Sequence, residues 1–294
     1  MKKLLVYGRI IKDQDNTYVR QLFDSLKELS FEVYVVENYN QQLKRLLPES
    51  KFPSVSNHEE YAKENFDLVI TMGGDGTILN AMTLIKNLST PMLGINLGRL
   101  GFLANAEKSK IHQALLKVKN GNYDIEKRNM IGLKSDGNLF TSFPYALNDF
   151  TIHKRDNSAM ILIHCFIDGA LLNSYWADGI IVSTPTGSTG YSLSCGGPII
   201  TPNCGNFVIA PVAPHNLNAR PVVVNDSSEI KFKVEGRAES FLVTLDSRND
   251  FITDKNEITL RKSDFPACLI RLDNTSFFKT IHQKLMWGID KRNV

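Results

Sequence analysis

Long hydrophobic runs and clustered charges are both absent from this sequence. No segment approaches the roughly 18 consecutive apolar residues that a membrane-spanning helix requires, so we expect no membrane partner. The 34 basic and 31 acidic residues are scattered along the chain and give a formal net charge of only +3. Because nucleic-acid binding normally requires a clustered basic surface, we also expect no nucleic-acid partner. A mildly basic surface still suits small anionic ligands.

Metal-binding and disulfide patterns are absent as well. The four cysteines form no CxxC pair and the histidines show no HExxH spacing, so we assign no protein metal site. The first residues, MKKLLVYGRIIKD, lack the continuous apolar run and the cleavage site of a signal peptide, and they predict a first strand. We therefore expect a cytoplasmic protein with free thiols at Cys165, Cys195, Cys204 and Cys268.

A buried strand that ends in two glycines is the strongest local signal. The stretch from Phe66 to Leu79, FDLVITMGGDGTIL, begins with the β-branched and aliphatic residues of a buried strand and continues into a helix. The glycines permit backbone angles and a sharp turn that bring N–H groups close to an anion, which the helix dipole also favours. The pattern predicts a phosphate-binding turn, and the alternative is a tight β–α turn with an Asx cap.

Asp75 lies inside this turn and does not fit simple phosphate binding. A carboxylate repels phosphate, so we expect Asp75 to take part in the chemistry or to help hold a cation.

The order of the predicted elements indicates two domains. Strands at 3–8, 31–37 and 91–97 and the strand before the glycine turn alternate with helices, which predicts a parallel sheet covered on both faces. Ligands bind such sheets beyond the carboxyl ends of the strands, where the glycine turn lies. From about Asp124, short β-rich segments separated by turn residues predict a sandwich or barrel.

A last helix is predicted after Asp273. It carries Phe277, Ile281, Leu285 and Ile289 on one face. That apolar face predicts a helix that packs back on one of the domains, and the alternative is a helix that binds a partner.

A polar loop from Asp178 to Pro198 follows another buried strand. Six hydroxyl side chains lie between Ser183 and Ser192 in this loop. Tyr191 offers a flat ring for stacking on a base, and the hydroxyls offer donors to ribose and amide groups. The composition favours a ligand-binding loop over the alternative, a flexible surface loop rich in Ser and Thr.

An adjacent amide and carboxylate, Asn148 and Asp149, interrupt an otherwise apolar strand pattern. Neighbouring polar residues are costly there unless they have partners. The pair suits a sugar diol, and an Asx turn at the end of a strand is the equal alternative.

Together these motifs resemble those of the bacterial NAD kinase family, which phosphorylates the 2′-hydroxyl of the adenosine ribose of NAD to make NADP. The similarity covers nearly the whole chain. Its motifs are GGDGT at 73–77, GINLGRLGFL at 94–103, LNDFTIHK at 147–154, DGIIVSTPTGSTGYSLSCGGPI at 178–199 and ARPVVV at 219–224. The GGDGT motif alone is also found in diacylglycerol-type lipid kinases and phosphofructokinases.

The resemblance implies a fold and an organisation into domains. It implies an α/β plus all-β fold, with a Rossmann-like N-terminal domain, a C-terminal β-sandwich, NAD bound between them and a C-terminal helix that returns to the first domain. The expected domains are residues 1–123, 124–273 and 274–294.

The resemblance also implies roles for individual residues. Asp75 is expected to accept the proton of the reacting hydroxyl. Gly73, Gly74 and Thr77 are expected to lie towards the phosphate donor. The expected NAD-binding residues are Gly76, Asn80, Asn148, Asp149, Asp178, Thr189, Gly190, Tyr191, Ser192, Leu193, Ser194 and Arg248.

Two of these positions depart from the pattern of the family. Gly190 stands where many relatives have alanine, which predicts a wider adenine pocket or a looser loop. Arg248 stands where some relatives have an uncharged polar residue.

The expected substrates are NAD and ATP, or another phosphoryl donor in place of ATP. A divalent cation, Mg²⁺, is expected to be carried mainly by the phosphates, because no Walker lysine pattern is present. Relatives form dimers and tetramers, so we expect a homodimer or a homotetramer.

Two other functions remain as alternatives. A lipid kinase with the same glycine turn would not need the Asn-Asp pair or the hydroxyl-rich loop. A sensor that binds NAD(P) without catalysis would not need Asp75 in the phosphate turn.

Overall fold

The computed structural model describes residues 2–86, 89–98, 101–155, 160–273 and 276–287. The chain divides into two compact units. The first comprises Met1–Glu126 together with Cys268–Val294, and the second comprises Lys127–Ala267. Across the described ranges, every helix is too short or too polar to span a bilayer.

The first unit contains a sheet whose strands are numbered along the whole chain. They are β1 (Lys3–Gly8), β2 (Glu32–Val36), β3 (Ser54–Val55), β4 (Leu68–Gly73), β5 (Met92–Asn96), β6 (Ala106–Glu107), β7 (Asp124–Arg128) and β20 (Ala267–Arg271). The strand order is β3-β2-β1-β4-β5-β20-β7, with β6 paired to β5. Neighbouring strands from β3 to β20 run parallel. This unit is the predicted Rossmann-like domain.

Helices connect the strands of this sheet. They are α1 (Asn16–Glu28), α2 (Glu37–Leu46), α3 (His58–Glu64), α4 (Asp75–Ile85) and α5 (Ile111–Lys119). In α1 the residues Val19, Leu22 and Leu26 are fully buried. Their helical spacing places them on one face of α1, which packs into the core of the unit.

The second unit consists of two antiparallel six-stranded sheets. The first contains β15 (Val222–Asn225), β14 (Asn206–Val212), β13 (Gly179–Ser183), β10 (Asp149–Lys154), β17 (Phe241–Leu245) and β18 (Arg248–Ile252), in that order. The second contains β12 (Ala170–Ala177), β11 (Ile161–Ile167), β16 (Ile230–Glu235), β19 (Ile258–Lys262), β8 (Ile131–Ser135) and β9 (Tyr145–Ala146), in that order. The rings of Phe150 and Phe232 stack across the core at 6.3 Å between centroids. The unit is a β-sandwich, one of the two architectures that the sequence predicts.

One strand lies outside the domain in which the sequence places it. The predicted boundary at residue 273 assigns Ala267–Arg271 to the β domain, whereas the structure pairs this strand with β5 in the parallel sheet, Leu269 opposite Met92. Its first four residues are all buried. A strand buried on both faces is typical of a parallel sheet, and this pattern distinguishes it from the alternating strands of the sandwich.

The C-terminal helix, α7 (Phe277–Leu285), belongs to the first unit. Ser276 caps it by accepting a hydrogen bond from the N–H of Phe278, and Ile281 is buried. The ring of Phe277 lies 6.3 Å from that of Phe102 in the same unit. The predicted return to the first domain is confirmed. The predicted position of Ile289 on this helix lies outside the described residues.

Several elements are missing from the prediction, among them α3, β3 and β12. Helix α3 has the sequence HEEYAKE, in which only Tyr61 is buried, so it lacks an apolar stripe. Strand β3 has only two residues, and the edge strand β12 is half exposed and interrupted by polar residues.

The four cysteines are free thiols, as predicted.

Candidate functional site

The GGDGT turn joins β4 to α4 at the carboxyl end of a parallel strand. Gly74 has φ −104° and ψ −167°, a backbone conformation that residues with side chains also adopt. None of Gly73, Gly74 and Gly76 has a positive φ, so they do not use the special backbone angles that the sequence predicts, and only Gly73 is explained by lack of space. A Cβ on Gly73 would lie 2.0 Å from Oγ1 of Thr77, whereas a Cβ on Gly74 or Gly76 would meet nothing within 4 Å. Bare backbone at 74 and 76 leaves room for a ligand to approach.

Asp75 is the first residue of α4, and its carboxylate is held by a neighbouring loop. It accepts hydrogen bonds from the backbone N–H groups of Phe102 at 2.9 Å, Leu103 at 3.1 Å and Ala104 at 2.9 Å. The Asx-cap alternative is wrong, because the N-cap of α4 is Gly74 and no side chain caps the helix. The three amides stabilise the negative charge and fix the orientation of the carboxylate.

The geometry around Asp75 leaves part of its acceptor capacity unused. Oδ1 accepts two of the three hydrogen bonds and Oδ2 accepts one. A carboxylate offers about four lone-pair sites, so Oδ2 retains room for one more donor. Gly101 is also needed here, because a Cβ on it would lie 1.9 Å from Oδ1 of Asp75. The amides at 102–104 are a functional element that the sequence analysis missed, although the glycine before them was a signal.

The structure brings the predicted donor-side residues together on one turn. Thr77 is buried against Gly73, and its N–H donates to the carbonyl of Gly74 at 2.9 Å. Asn80 is exposed on the next turn of α4, four residues after Gly76 and therefore on the same face of the helix.

In the second unit, a distant carboxylate holds the segment with Asn148 and Asp149. Asp246 accepts hydrogen bonds from the backbone N–H groups of Leu147 at 3.0 Å, Asn148 at 2.7 Å and Asp149 at 3.2 Å. The N–H of Asp246 in turn donates to the carbonyl of Asp149 at 2.9 Å. The acceptor is therefore remote in sequence, and it holds the backbone of this segment. No pattern in the sequence predicts this role of Asp246.

Two carboxyl groups lie close together in this part of the sandwich. Asp149 is only 8% exposed, and this burial, followed by the negative charge of Asp246, raises its pKa to about 7. Burial also raises the pKa of Asp246, against the lowering effect of its three backbone donors and of Arg248. Asp149 is therefore divided between its neutral and ionised forms near neutral pH.

This raised pKa makes stability depend on pH. An unfolded Asp ionises near about 3.9. Between that value and about 7 the folded state retains a proton that the unfolded state has released, so stability falls as the pH rises through this window. We expect Asp149→Asn to increase the free energy of unfolding, by roughly 2 kcal/mol more at pH 8 than at pH 5. Urea titrations at the two pH values measure this, with Asp250→Asn as the control for loss of one charge. A gain that is equal at both pH values would contradict the assignment.

The hydroxyl-rich loop folds into a 3₁₀ turn, Gly187–Thr189, followed by the short helix α6 (Tyr191–Ser194). The sequence predicts that its six Ser and Thr hydroxyls are donors to a ligand. Five of the six instead form hydrogen bonds within the protein, and these bonds stabilise the loop. Ser183, Thr184, Ser188 and Thr189 donate to backbone carbonyls, and Thr186 accepts from Arg128. Ser192 is fully buried, and its hydroxyl has no partner among the described residues.

Other predicted binding residues lie along this loop. Gly190 donates its N–H to the carbonyl of Gly187 at 2.8 Å, and a Cβ on Gly190 would lie 3.2 Å from that oxygen. Alanine at this position would require a small shift. Leu193 is half-buried and Ser194 is exposed.

Tyr191 has one ring neighbour and an exposed surface. Its ring stacks on His153 of β10 at 5.7 Å between centroids, and Tyr191 is 42% exposed. Burial lowers the pKa of His153, which favours the neutral imidazole. The stack fixes the ring while part of its surface stays available to a planar ligand.

The structure does not bring Asp178 to the Asn148–Asp149 pair. Asp149 faces Ser183 at one end of the β10–β13 ladder, and His153 faces Gly179 at the other end. Asp178 precedes that far end and forms an ion pair with Lys154 at 2.7 Å.

Arg248 has partners that explain it without a ligand. Its guanidinium donates to the carbonyls of Phe143 and Tyr145, and it lies over the rings of Phe140 and Phe143. These contacts indicate that Arg248 ties the segment before Asn148 to the β17–β18 hairpin.

A parallel sheet with a GGDGT turn and a β-sandwich with a hydroxyl-rich loop define a two-domain kinase of the nucleotide-binding class. Two family models match this sequence, and both describe domains of the same kinase family. The model described as the ATP-NAD kinase N-terminal domain matches residues 4–123, and the ATP-NAD kinase C-terminal domain matches residues 147–272. The chain belongs to the ATP-NAD kinase family.

Relatives named NAD kinase match almost the full length. The chain is 43% identical to one from Cytophaga hutchinsonii, over 98% of this chain and 99% of that protein. It is 42% identical to one from Flavobacterium psychrophilum, over 99% of this chain and 100% of that protein.

Two solved structures share the fold. An NAD kinase from Archaeoglobus fulgidus in complex with ATP gives a TM-score of 0.76 at 27% identity, over 96% of this chain and 99% of that chain. Yeast NADH kinase complexed with NADH gives a TM-score of 0.88 at 21% identity, over 99% of this chain and 89% of that chain. The second likeness concerns the fold alone.

Proposed function

We propose that this protein transfers the terminal phosphoryl group of ATP to the 2′-hydroxyl of the adenosine ribose of NAD, and that Asp75 accepts the proton of that hydroxyl. Membership of the ATP-NAD kinase family supports the activity. One observation carries the role of Asp75: a carboxylate at the end of a phosphate turn, held by three amides and with acceptor capacity left on Oδ2.

The chemistry assigns a different task to each group. A ribose hydroxyl is a poor nucleophile at neutral pH, so it must be held in line with the phosphorus while its proton finds an acceptor. Oδ2 of Asp75 is that acceptor. The backbone of Gly74, where a Cβ would meet nothing within 4 Å, and the N-terminus of α4 favour the negative charge of the donor phosphates.

The predicted NAD-binding residues other than Asp178 and Arg248 bind the dinucleotide in this proposal. Asn148 and Asp149 hold a ribose through an amide and a carboxyl group, which offer both a donor and acceptors. Tyr191 stacks on an aromatic ring of NAD. Asn80 and the segment from Thr189 to Ser194 contribute further contacts.

A divalent cation, Mg²⁺, is proposed to arrive with the phosphates of ATP and to neutralise part of their charge. Within the described ranges, no cluster of three or more His, Cys, Asp or Glu side chains is placed to hold a metal. The described residues therefore offer no ready-made site of three or more such ligands, which agrees with a cation carried mainly by the phosphates, and no step is assigned to a protein-bound cation.

Incubation of the pure protein with ATP, Mg²⁺ and NAD tests the activity. We expect NADP to form, measured with an NADP-specific dehydrogenase. Parallel reactions with diacylglycerol test the lipid kinase alternative, and we expect no phosphorylated lipid. NAD binding without any NADP would instead support the sensor alternative.

Tyr191→Ala is expected to weaken NAD binding by about 5- to 150-fold and to leave ATP binding nearly unchanged. Base stacking on an aromatic side chain contributes roughly 1–3 kcal/mol, which gives this range. Calorimetric titration with each nucleotide measures it. Phe251→Ala, which removes another exposed ring of the same unit, is the control. Equal losses for both nucleotides, or none, would show that Tyr191 is structural.

We also propose a cytoplasmic homodimer or homotetramer, on the resemblance to the family. Light scattering from the purified protein measures the assembly directly. A monomer at assay concentrations would refute this part of the proposal.

A further inference from the structure

Asp246 occupies the turn between β17 and β18. Leu245 pairs with Arg248 across the hairpin, so the turn consists of Asp246 and Ser247. Asp246 has φ +52°, a left-handed conformation that Asp and Asn tolerate better than most residues. Its side chain is aimed at the strand on the other side of β17.

The hydrogen bonds of Asp246 continue the β10–β17 ladder beyond its last pair. That ladder ends with Phe150 opposite Leu245, so Asp149 and Asp246 are the next residues on their strands. Both backbone and side chain of Asp246 then bind the segment Leu147–Asp149, through one donated and three accepted hydrogen bonds. Two segments about a hundred residues apart in sequence are thus fixed to each other.

Only a carboxylate satisfies all three N–H groups. Oδ2 accepts from Leu147, while Oδ1 accepts from Asn148 and Asp149. Asparagine has an acceptor on one atom only, and its NH₂ group would face an N–H donor. The conformation of the turn would tolerate Asp or Asn, but the three hydrogen bonds require Asp at position 246.

We propose that Asp246 is a positioning residue, which holds the backbone of Asn148 and Asp149 so that this pair keeps the orientation in which it binds the ribose of NAD. This inference rests on the function proposed above. Asp246 acts through the two neighbours and is assigned no contact with substrate.

The negative charge of Asp246 adds a second effect, on the ionisation of Asp149. The titratable groups around Asp149 are Asp246 on the β17–β18 turn and Tyr191 on the hydroxyl-rich loop, and Arg248 acts on Asp246. Removing the charge of Asp246 lowers the pKa of Asp149, because the remaining cause of its rise is burial. The pH at which Asp149 becomes an anionic acceptor for ribose hydroxyls then moves down.

Asp246→Asn tests the proposal, with Asp250→Asn as the matched control. Asp250 lies in the same hairpin and accepts a hydrogen bond from the N–H of Phe140, away from Asn148. We expect Asp246→Asn to raise KM for NAD by about 5- to 50-fold, to change kcat by less than about threefold and to leave KM for ATP unchanged. The inflection of kcat/KM for NAD near pH 7 should move to lower pH. The control should change neither quantity.

A KM for NAD and a pH profile like those of the parent would overturn the proposal, as would equal losses for NAD and ATP. Hydrogen exchange in the unsubstituted protein gives an independent check that needs no folded variant. The amides of Leu147, Asn148 and Asp149 should all be protected, and fast exchange at these three would also overturn the proposal. If the parent makes no NADP, the proposed function fails, and Asp246 is then judged by calorimetric NAD binding and by exchange.

Discussion

Asp75→Asn is expected to lower turnover by about 10²–10⁴ while NAD affinity changes little. The amide keeps the shape of the side chain and one acceptor oxygen for Leu103 and Ala104, whose N–H groups bind Oδ1. It removes the basic oxygen that takes the proton of the ribose hydroxyl, together with the acceptor for the N–H of Phe102. Single-turnover measurements with saturating ATP and NAD report the loss of the chemical step.

The control for this substitution is Asp67→Asn. Asp67 precedes β4 at the opposite end from the glycine turn, and it accepts a hydrogen bond from the N–H of Lys3. Its substitution removes one charge from the same unit and should leave turnover unchanged. Turnover near the parent level in Asp75→Asn would refute the role of Asp75 as proton acceptor.

Asp149→Ala is expected to reduce kcat/KM for NAD by about 30- to 900-fold. This corresponds to a loss of about 2–4 kcal/mol in transition-state stabilisation. The substitution removes a hydrogen-bonding carboxyl group from a site that is only 8% exposed. Because burial and Asp246 raise the pKa of Asp149 to about 7, the assay belongs at pH 8, where the carboxylate form prevails. Asp149→Asn keeps the shape and one acceptor, and it should give a smaller loss.

The matching test varies the substrate. NAD that lacks the adenosine 2′-hydroxyl should bind and not react, and NADP should accept no second phosphate at that position. Suppose instead that Asp149→Ala leaves NAD kinetics untouched and the protein phosphorylates diacylglycerol. Asp149 would then have no part in binding NAD, and the lipid kinase alternative would be correct.

Local patterns in the sequence predict much of this fold because they reflect burial. The spacing of Val19, Leu22 and Leu26 follows from one helical face in the core. The β-branched and aliphatic run before Gly73 follows from a strand covered on both faces. Helix α3 escapes prediction because a short helix with one buried residue, Tyr61, carries no stripe.

The candidate site was only partly predictable for a different reason. The residue types in GGDGT and in the Asn-Asp pair indicate the chemistry, but the groups that hold them come from remote parts of the chain. The amides of Phe102–Ala104 are backbone groups and leave no side-chain signal except the glycine before them. Asp246 looks like an ordinary turn residue until the β10–β17 pairing places it beside Asp149.

For the hydroxyl-rich loop, the amino-acid composition alone overestimates the number of groups that can bind a ligand. Its Ser and Thr residues suggest many ligand donors, yet five of the six hydroxyls are engaged within the protein. A loop that must present Tyr191 in one orientation needs such internal bonds, since a loop without them loses more conformational entropy when a ligand binds. The same residues thus stabilise the loop first, and few remain for a ligand.

The position of the transferred phosphate tests the central claim most directly. The product of ATP and NAD, made with the pure protein, is isolated and examined by two-dimensional ³¹P–¹H NMR. We predict a coupling between the new phosphorus and the 2′ proton of the adenosine ribose, and formation of this product at least about 100 times more slowly with Asp75→Asn. Phosphate on the 3′-hydroxyl or on the nicotinamide ribose, or no transfer to NAD by the parent protein, would contradict the account.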